Sequence, residues 1–266
     1  MRILCNSYPE GKRRAMTFSY DDGREYDRKL ARIFDENGLR ASFHLNSAFL
    51  GTRESYLTPE ELPKLFKNHE ISVHTATHPW LTAHSNESIL REVMEDRRTL
   101  EAAAGYPVRG MSYPFGDYDE RVISVLRACG IVCSRTVLAT NKFTLPADFL
   151  MWHPTCHHNG PLNELLDTFL KVNSYTTLRC FFIWGHSYEF NNNGNWNLIE
   201  EFAKRASGDP DTWYATNIEI YDYVTAVRSI QFGVDDKLIH NPSALDVWVT
   251  ADNEPVKISS GQTVRF

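Results

Sequence analysis

Short apolar runs alternate with amphipathic stretches along most of the sequence. Strands are predicted at 15–20, 40–45, 71–74, 109–113, 131–137, 180–184 and 213–215, and helices at 25–37, 58–68, 86–104, 119–129, 162–172, 198–206 and 217–227. This alternation is typical of a parallel sheet with helices packed outside it. About seven such units favour a closed or nearly closed (β/α) barrel over an open sheet, with the working residues at the carboxyl ends of the strands.

The pattern changes after Asn241 and Pro242. Short β-rich runs follow at 247–249, 256–258 and 263–266, and turn residues separate them. We therefore predict an α/β protein with a distorted (β/α)7-type barrel over residues 1–240 and a small β-rich C-terminal appendage over residues 241–266.

Charge and apolar content exclude several classes of protein. The 266 residues carry a formal net charge of −6, which gives no sign of a basic surface for nucleic acid. No apolar run approaches the roughly 20 residues of a membrane span, and the first residues lack the apolar segment of a secretory signal. The five cysteines form no paired framework. These features predict reduced thiols and a cytoplasmic protein, and they leave the oligomeric state open.

Two adjacent carboxylates, Asp21 and Asp22, close the first predicted strand. Such a pair is costly unless a cation relieves the repulsion between the two charges. Neighbours on an extended chain face opposite sides, so one carboxylate can bind a metal while the other faces a substrate water. The competing interpretation is a solvated turn in which Asp22 and Gly23 are chosen for their geometry.

His74 and His78 follow the third predicted strand with a spacing of four residues. In an extended strand the two imidazoles would lie about 13 Å apart. They can share one metal only if the chain coils between them, so we expect the strand to end near His74 and a helical turn to carry His78. The intervening threonines can hold that turn through local hydrogen bonds. A spacing of this kind can also arise by chance.

A rival pair with the same spacing is formed by His153 and His157. Pro154 disfavours a helix that begins before it, and no paired carboxylates follow a strand nearby. This pair is therefore ranked below His74 and His78 as metal ligands, although either histidine can line the pocket.

Two further strand ends carry candidate residues. Tyr113, Pro114 and Phe115 precede Gly116 in a turn that can present a backbone N–H to a developing oxyanion. His186 ends the apolar run at 180–184, where a histidine suits a general acid with a pKa near neutrality. A plain strand–helix turn and a structural histidine are the alternatives.

Taken in this order, the motifs resemble those of the polysaccharide deacetylase family, also called the NodB-homology family or carbohydrate esterase family 4. The resemblance spans about residues 15 to 230. It implies a distorted (β/α) barrel and the following roles: Asp21 as general base, Asp22, His74 and His78 as metal ligands, His186 as general acid, Phe115 as the source of the oxyanion N–H, and Trp152 as the apolar wall of the acetyl pocket.

The chain departs from the family pattern at two places. Ser112 stands where the family usually has an arginine, and Arg109, three residues earlier, is the candidate to supply that charge at the substrate site together with Tyr113 and Pro114. The acidic partner of the fourth motif is not evident, since Asp148 lies at the wrong spacing from Trp152. The C-terminal appendage is not part of the family core.

The resemblance implies a metal-dependent hydrolase that removes N- or O-acetyl groups from a sugar or oligosaccharide. The expected cofactor is a divalent metal, Zn²⁺ first, with Co²⁺, Ni²⁺ or Mn²⁺ as alternatives. A hydrolase of small amides such as formamides or ureides on the same barrel is the second hypothesis. The third is a non-catalytic carbohydrate-binding protein, which the presence of all five polar site residues disfavours.

Overall fold

The computed structural model describes residues 2–171, 176–235 and 237–266. Its strands are β1 (Ile3–Ser7), β2 (Arg14–Asp21), β3 (Ala41–Leu45), β4 (Glu70–Val73), β5 (Gly110–Ser112), β6 (Cys133–Arg135), β7 (Cys156–His157), β8 (Cys180–Gly185), β9 (Thr212–Tyr214), β10 (Gln231–Phe232), β11 (Leu238–His240), β12 (Val247–Ala251), β13 (Glu254–Ile258) and β14 (Thr263–Arg265). Its α-helices are α1 (Asp27–Glu36), α2 (Leu62–Leu65), α3 (Asn86–Ala104), α4 (Glu120–Ala128), α5 (Leu162–Lys171), α6 (Ser187–Asn192), α7 (Trp196–Ala206) and α8 (Asn217–Arg228).

A parallel sheet forms the centre of the molecule. The strand order is β6-β5-β4-β3-β2-β8-β7, and β9 pairs with the beginning of β2. The segment before β7 links the two edges of this sheet. Trp152 exchanges backbone hydrogen bonds of 3.1 Å with Ser134 and Thr136 beside β6, and Thr155 donates to Phe182 of β8 at 2.7 Å. The sheet therefore curls into a barrel, and the predicted (β/α) barrel is confirmed.

Local sequence signals account for most element boundaries. Strand β2 is buried along its whole length, as expected for the centre of a parallel sheet. Helix α3 begins at the N-cap Ser85 and ends at Gly105, whose φ of 76° suits glycine. The predicted helix at 58–68 is shorter than expected: a 3-10 turn, capped by the reciprocal bonds of Thr58 and Glu61, leads into α2. The predicted helix at 162–172 is observed as α5, and Val172 lies outside the described residues.

The C-terminal β region uses residues from both ends of the chain. Strands β12 and β13 form a hairpin whose turn residues, Asp252 and Asn253, have positive φ angles. Strand β1 adds to β12, while β11 pairs with both β10 and β14. These strands pack on α8 in a second apolar core. Strand β1 pairs with β12, and β11 pairs with β14, so hydrogen bonds join the two sides of the domain boundary predicted at residue 240. The division into two domains stays a prediction.

The cysteines and the helices can be compared with the expectations from composition. The five cysteines are unpaired, and four of them are buried. Among the described residues, none of the helices combines the length and the apolar character needed to cross a bilayer.

Candidate active site

The end of β2 turns sharply at Asp22. Its φ is 82°, and that of Gly23 is 67°. A left-handed aspartate is an unfavourable conformation that is held by its surroundings, here by the hydrogen bond from the Asp22 N–H to the His44 carbonyl at 2.9 Å. Asp21 is buried inside the barrel end, while the Asp22 side chain is 17% exposed. The two carboxylates therefore face different surroundings.

His74 and His78 lie side by side after β4, with ring centroids 4.8 Å apart. The helical turn predicted between them is wrong: Thr75 and His78 have φ angles of 65° and 58°, and the chain folds back through these left-handed residues instead. The hydroxyl of Thr75 accepts the His78 N–H at 3.1 Å, and the Asn46 amide donates to the carbonyls of His74 and Thr75. Thus the threonine holds the turn as predicted, but in another conformation.

Asp96 of α3 supports this turn from below. Its carboxylate accepts the backbone N–H of His74 at 3.0 Å and that of Ser47 at 2.8 Å. The side chain is fully buried, and burial raises its pKa to about 7 against the opposing effect of these hydrogen bonds. Asp96 was not among the residues predicted from the sequence. An aspartate on the buried face of an amphipathic helix was the available signal, since buried carboxylates need partners.

Asp22, His74 and His78 converge on one point. The Oδ1 atom of Asp22 is 3.6 Å from Nε2 of His74 and 3.7 Å from Nε2 of His78, and ligand atoms of all three lie within 4.8 Å of one another. These distances are close to those of a bound site, because two ligand atoms that each lie about 2.1 Å from a tetrahedral ion are about 3.4 Å apart. Nδ1 of His74 donates to the Ser112 carbonyl at 2.8 Å, which leaves the Nε2 lone pair facing this point. One carboxylate and two imidazoles in this arrangement fit a divalent first-row cation.

Asp21 is held as a charged group beside these ligands. Arg135 of β6 contacts its Oδ2, and the Ser112 hydroxyl donates to Oδ1 at 3.0 Å. Burial alone would raise the pKa of Asp21, but the Arg135 charge and the neighbouring histidines His74, His44 and His186 together outweigh burial and hold the pKa well below its ordinary value. Arg135 is itself buried, donates to the Ser19 hydroxyl at 3.0 Å and lies over the Trp184 ring.

Arg109 does not supply the charge at the site. It forms a two-pronged ion pair with Asp222 of α8, at 3.1 and 2.6 Å. Arg109 lies just before β5, and its guanidinium reaches a helix outside the barrel. Arg135 holds Asp21 instead. The arginine sought near Pro114 thus lies one strand further along the sheet, where spacing within one motif could not find it.

Two aromatic residues predicted to bind substrate lie in the core instead. Trp152 is 2% exposed and packs against Phe149 and Phe182, with ring centroids 4.9 and 4.5 Å away. Tyr113 is buried and its hydroxyl donates to the Leu150 carbonyl at 2.8 Å. The tryptophan beside the charged groups is Trp184, which the sequence analysis did not select.

Phe115 is the member of the predicted loop that reaches solvent, while Pro114 is buried. The Phe115 backbone is left-handed, with φ at 57°, and its ring meets that of His78 edge-on at 4.4 Å. Trp80 stacks on the Phe115 ring at 4.1 Å with an interplanar angle of 4°. Trp80 is 55% and Phe115 49% exposed, so an aromatic pair stands at the rim of the site.

His186 lies on the opposite side, where Glu189 of α6 orients it. Nδ1 of His186 is 2.7 Å from Oε1 of Glu189. Burial lowers the pKa of His186, but the bond to Glu189 and the charges of Asp21 and Asp22 outweigh it, so the net pKa is raised. The raised pKa favours the protonated form that a general acid needs. Glu189 was missed, although its position three residues after His186 in a helix was a usable signal.

The rival histidine pair does not converge. Nδ1 of His153 bonds the Thr136 hydroxyl at 2.7 Å, while Nε2 of His157 faces Glu189 at 3.3 Å. His157, His158 and Glu189 do form a second compact cluster. However, Nδ1 of His157 accepts the Asn159 N–H at 3.2 Å, which places the proton on Nε2. This cluster therefore fits a set of hydrogen bonds around a carboxylate better than a cation site.

Comparison with known sequences identifies the relatives of the chain. A family model described as polysaccharide deacetylase matches residues 8–134, and the resemblance predicted from the motifs is confirmed. Chitin deacetylase 1 of Cryptococcus neoformans var. grubii serotype A is 28% identical over 137 residues, which is 51% of this chain and 28% of the relative. Chitin deacetylase 2 of Cryptococcus neoformans var. neoformans serotype D is 26% identical over 42% of this chain and 24% of the relative. The matches thus cover about a quarter of these longer proteins.

Solved structures share the fold. A candidate polysaccharide deacetylase from Mycobacterium smegmatis superposes with a TM-score of 0.61 at 16% identity, over 84% of this chain and 93% of that one. A CE4 family pseudoenzyme from Bacillus anthracis gives a TM-score of 0.51 at 15% identity, over 80% and 66%. A pseudoenzyme on the same barrel means that the fold does not decide activity, which depends on the residues of the site.

Proposed function

We propose that this chain, a relative of the polysaccharide deacetylases, is a metal-dependent hydrolase that removes acetyl groups from a carbohydrate. The observation that carries the proposal is the convergence of Asp22, His74 and His78 beside the charged carboxylate of Asp21. Three N and O ligands with room for a water are typical of a catalytic rather than a structural metal site. A divalent cation bound there, Zn²⁺ first, would polarise the acetyl carbonyl and lower the pKa of water.

The protein groups around this set have separable roles. Asp21 is fixed by Arg135 and Ser112 and stays ionised, so it accepts the proton of the attacking water. His186, protonated through Glu189 and the nearby carboxylates, gives its Nε2 proton to the leaving amine or alcohol. The backbone N–H of Phe115, beside His78, donates to the developing oxyanion.

The rim of the site favours a sugar over a small amide. Trp80 and Phe115 expose a flat aromatic surface next to the ligand His78. Exposed aromatic rings of this kind bind the apolar face of a sugar ring, whereas a formamide or ureide would not reach them.

Acetate release tests the proposal. Acetylated glucosamine oligomers are offered to the chelated protein and to the protein with Zn²⁺ returned, beside a panel of formamides and ureides. We expect release from the oligomers only with metal present. The Asp21→Asn variant should keep its metal content and lose turnover. Turnover of small amides with none of the sugars would replace the proposed substrate, and unchanged turnover by Asp21→Asn would refute the base.

A further inference from the structure

Two arginines at the mouth of the site lack acidic partners. The Arg24 guanidinium lies over the Tyr56 ring, 4.5 Å from its centroid, and 5.6 Å from that of Tyr188. The Arg53 guanidinium lies 3.5 Å from the centroid of the Phe49 ring. Within residues 2–171, 176–235 and 237–266, no carboxylate lies within 4.0 Å of either guanidinium. Neither arginine is thus in an ion pair, although the charge of Arg24 acts to lower the pKa of Asp22. The two cations lie over neighbouring rings, since the Phe49 and Tyr56 centroids are 5.4 Å apart, in a chain with a net charge of −6.

Other surface arginines of this protein behave differently. Arg28 forms a two-pronged pair with Glu61, and Arg205 pairs with Asp167. Acidic residues are also available near the two arginines at the mouth, since Glu25 and Glu54 adjoin them in sequence. Their carboxylates do not turn toward the guanidinium groups. Aromatic rings orient these arginines instead, which keeps the charges at the surface of the cleft.

The cleft beside these arginines opens directly onto the proposed metal ligands. It has a volume of about 320 Å³ and is lined by Asp22, Asn46, Phe49, Arg53, Tyr56, Thr77 and His78. Arg24 reaches its edge through the hydrogen bond from Nη1 to the Tyr56 hydroxyl, at 3.3 Å. Asn46 also lines the cleft, and its Oδ1 is buried and accepts no hydrogen bond from the described residues.

We propose that the carbohydrate accepted at this site carries an anionic group, a carboxylate or a phosphate, and that Arg24 and Arg53 bind it in the cleft beside Asp22 and His78. Guanidinium groups match both anions through paired N–H donors. The substrate class is thereby narrowed from acetylated sugars in general to acidic ones. The inference rests on the proposed deacetylase function.

Matched oligosaccharides test this charge preference. The probes are the β-1,4-linked N-acetylglucosamine tetramer, the same tetramer oxidised to carboxylates at C6, and the same tetramer phosphorylated at C6. Dissociation constants are measured by calorimetry with the Zn²⁺-loaded Asp21→Asn variant, which is expected not to turn them over. We expect one of the two acidic tetramers to bind about tenfold more tightly than the neutral one at low salt, about threefold for each arginine, with the advantage shrinking as salt is added. The tighter of the two identifies the anion.

Three further variants in the same background locate the effect. Arg53→Gln changes an exposed side chain and should fold normally, and Arg24→Gln provides a second test. Each should lower the ratio of acidic to neutral affinity, whereas Arg265→Gln, which replaces an exposed arginine in β14, should leave that ratio unchanged. Equal affinities for all three tetramers, or a preference that survives both variants, would overturn the inference. Acetate release by the unaltered protein from the neutral tetramer would still support the deacetylase, whereas release from none of the three would count against that function instead.

Discussion

The guanidinium of Arg135 lies against the carboxylate of Asp21, although 114 residues separate them in the chain. The contact crosses the barrel end from β6 to β2, and both side chains are buried. The same guanidinium is covered by the Trp184 ring, with the centroid 4.3 Å away. An ionised base inside an apolar barrel depends on such a partner, because an unpaired buried carboxylate would take up a proton.

Arg135→Met should therefore both destabilise the fold and raise the pKa of Asp21. Removing one partner of a buried pair costs roughly 3–5 kcal/mol. The acid limb of the kcat/KM profile should move to higher pH, because the base would be protonated until a higher pH is reached. Urea unfolding and a pH–rate profile measure the two effects.

Arg109→Met is the matched control for that substitution. The side chains of Arg109 and Asp222 are each about one-third exposed, so removing this ion pair should lower the free energy of unfolding by about 1 kcal/mol or less. The kcat/KM profile against pH should be unchanged. If both variants shifted the profile equally, Arg135 would have no special relationship with the base.

Asp96→Ala should weaken metal binding although it changes none of the three proposed ligand side chains. The substitution takes one of two acceptors from the His74 N–H, which keeps its bond to the Leu45 carbonyl, and it takes the carboxylate acceptor from the Ser47 N–H. Losing both bonds to Asp96 should loosen the turn that holds the two histidines. Loss of supporting hydrogen bonds behind metal ligands typically reduces affinity about 10- to 100-fold. Competition titration with a metal indicator measures the change, and Glu95→Ala, an exposed neighbour on α3, is the control. Equal affinities for both variants would show that the turn does not need Asp96.

Glu70 should make the protein less stable as the pH rises toward neutrality. Burial raises its folded pKa to about 7 from 4.5, against opposing bonds from Ser42 and Ile218. The folded form holds the proton more tightly, so this contribution is complete below about pH 4.5 and is lost as the pH rises through 7. The loss is on the order of 3 kcal/mol. Glu70→Gln should flatten the stability profile between pH 5 and 8, whereas Glu36→Gln, on an exposed surface, should not. A steep profile retained in Glu70→Gln would exclude this carboxyl as the cause.

Gly185→Ala should disturb the cluster of His157, His158 and Glu189 through steric overlap. A Cβ at this position would overlap the ring of His158 at Nδ1, and that ring is packed between Tyr20 and Phe190. Overpacking of this kind costs about 1–3 kcal/mol. Gly194→Ala is the control, because nothing lies within 4 Å of its Cβ position and only the left-handed backbone is strained, at about 1 kcal/mol. A thermal melt of both variants decides the matter, and a smaller shift for Gly185→Ala than for Gly194→Ala would contradict the packing.

The sequence predicted the barrel and the grouping of the proposed metal ligands from local patterns. Alternating strands and helices identify the sheet, and parallel strands bring Asp22 and His74 to the same edge. The partners that tune these residues are not local. Arg135 lies two strands away from His74 in the sheet, and no spacing rule links it to Asp21. Trp152 resembled a pocket residue by its place in the motif order, but the segment that carries it closes the barrel and turns the ring into the core.

The pairing of β1 with β12 could not be predicted for a similar reason. Ile3 and Ala251 are register partners, but neither run has a composition that selects the other. Antiparallel addition between the two ends of a chain depends on where the barrel leaves an open edge, which is a property of the assembled structure.

Equilibrium titration of the metal-free protein with Co²⁺ tests the proposed metal centre most directly. The unaltered protein should bind one equivalent, with visible absorption bands of a low-coordinate site, and Asp21→Asn should do the same. Asp22→Ala, His74→Ala and His78→Ala should each abolish or strongly weaken that absorption, because each removes one of three ligands. Spectra and stoichiometry unchanged in all three variants, or no binding by the unaltered protein, would contradict the account.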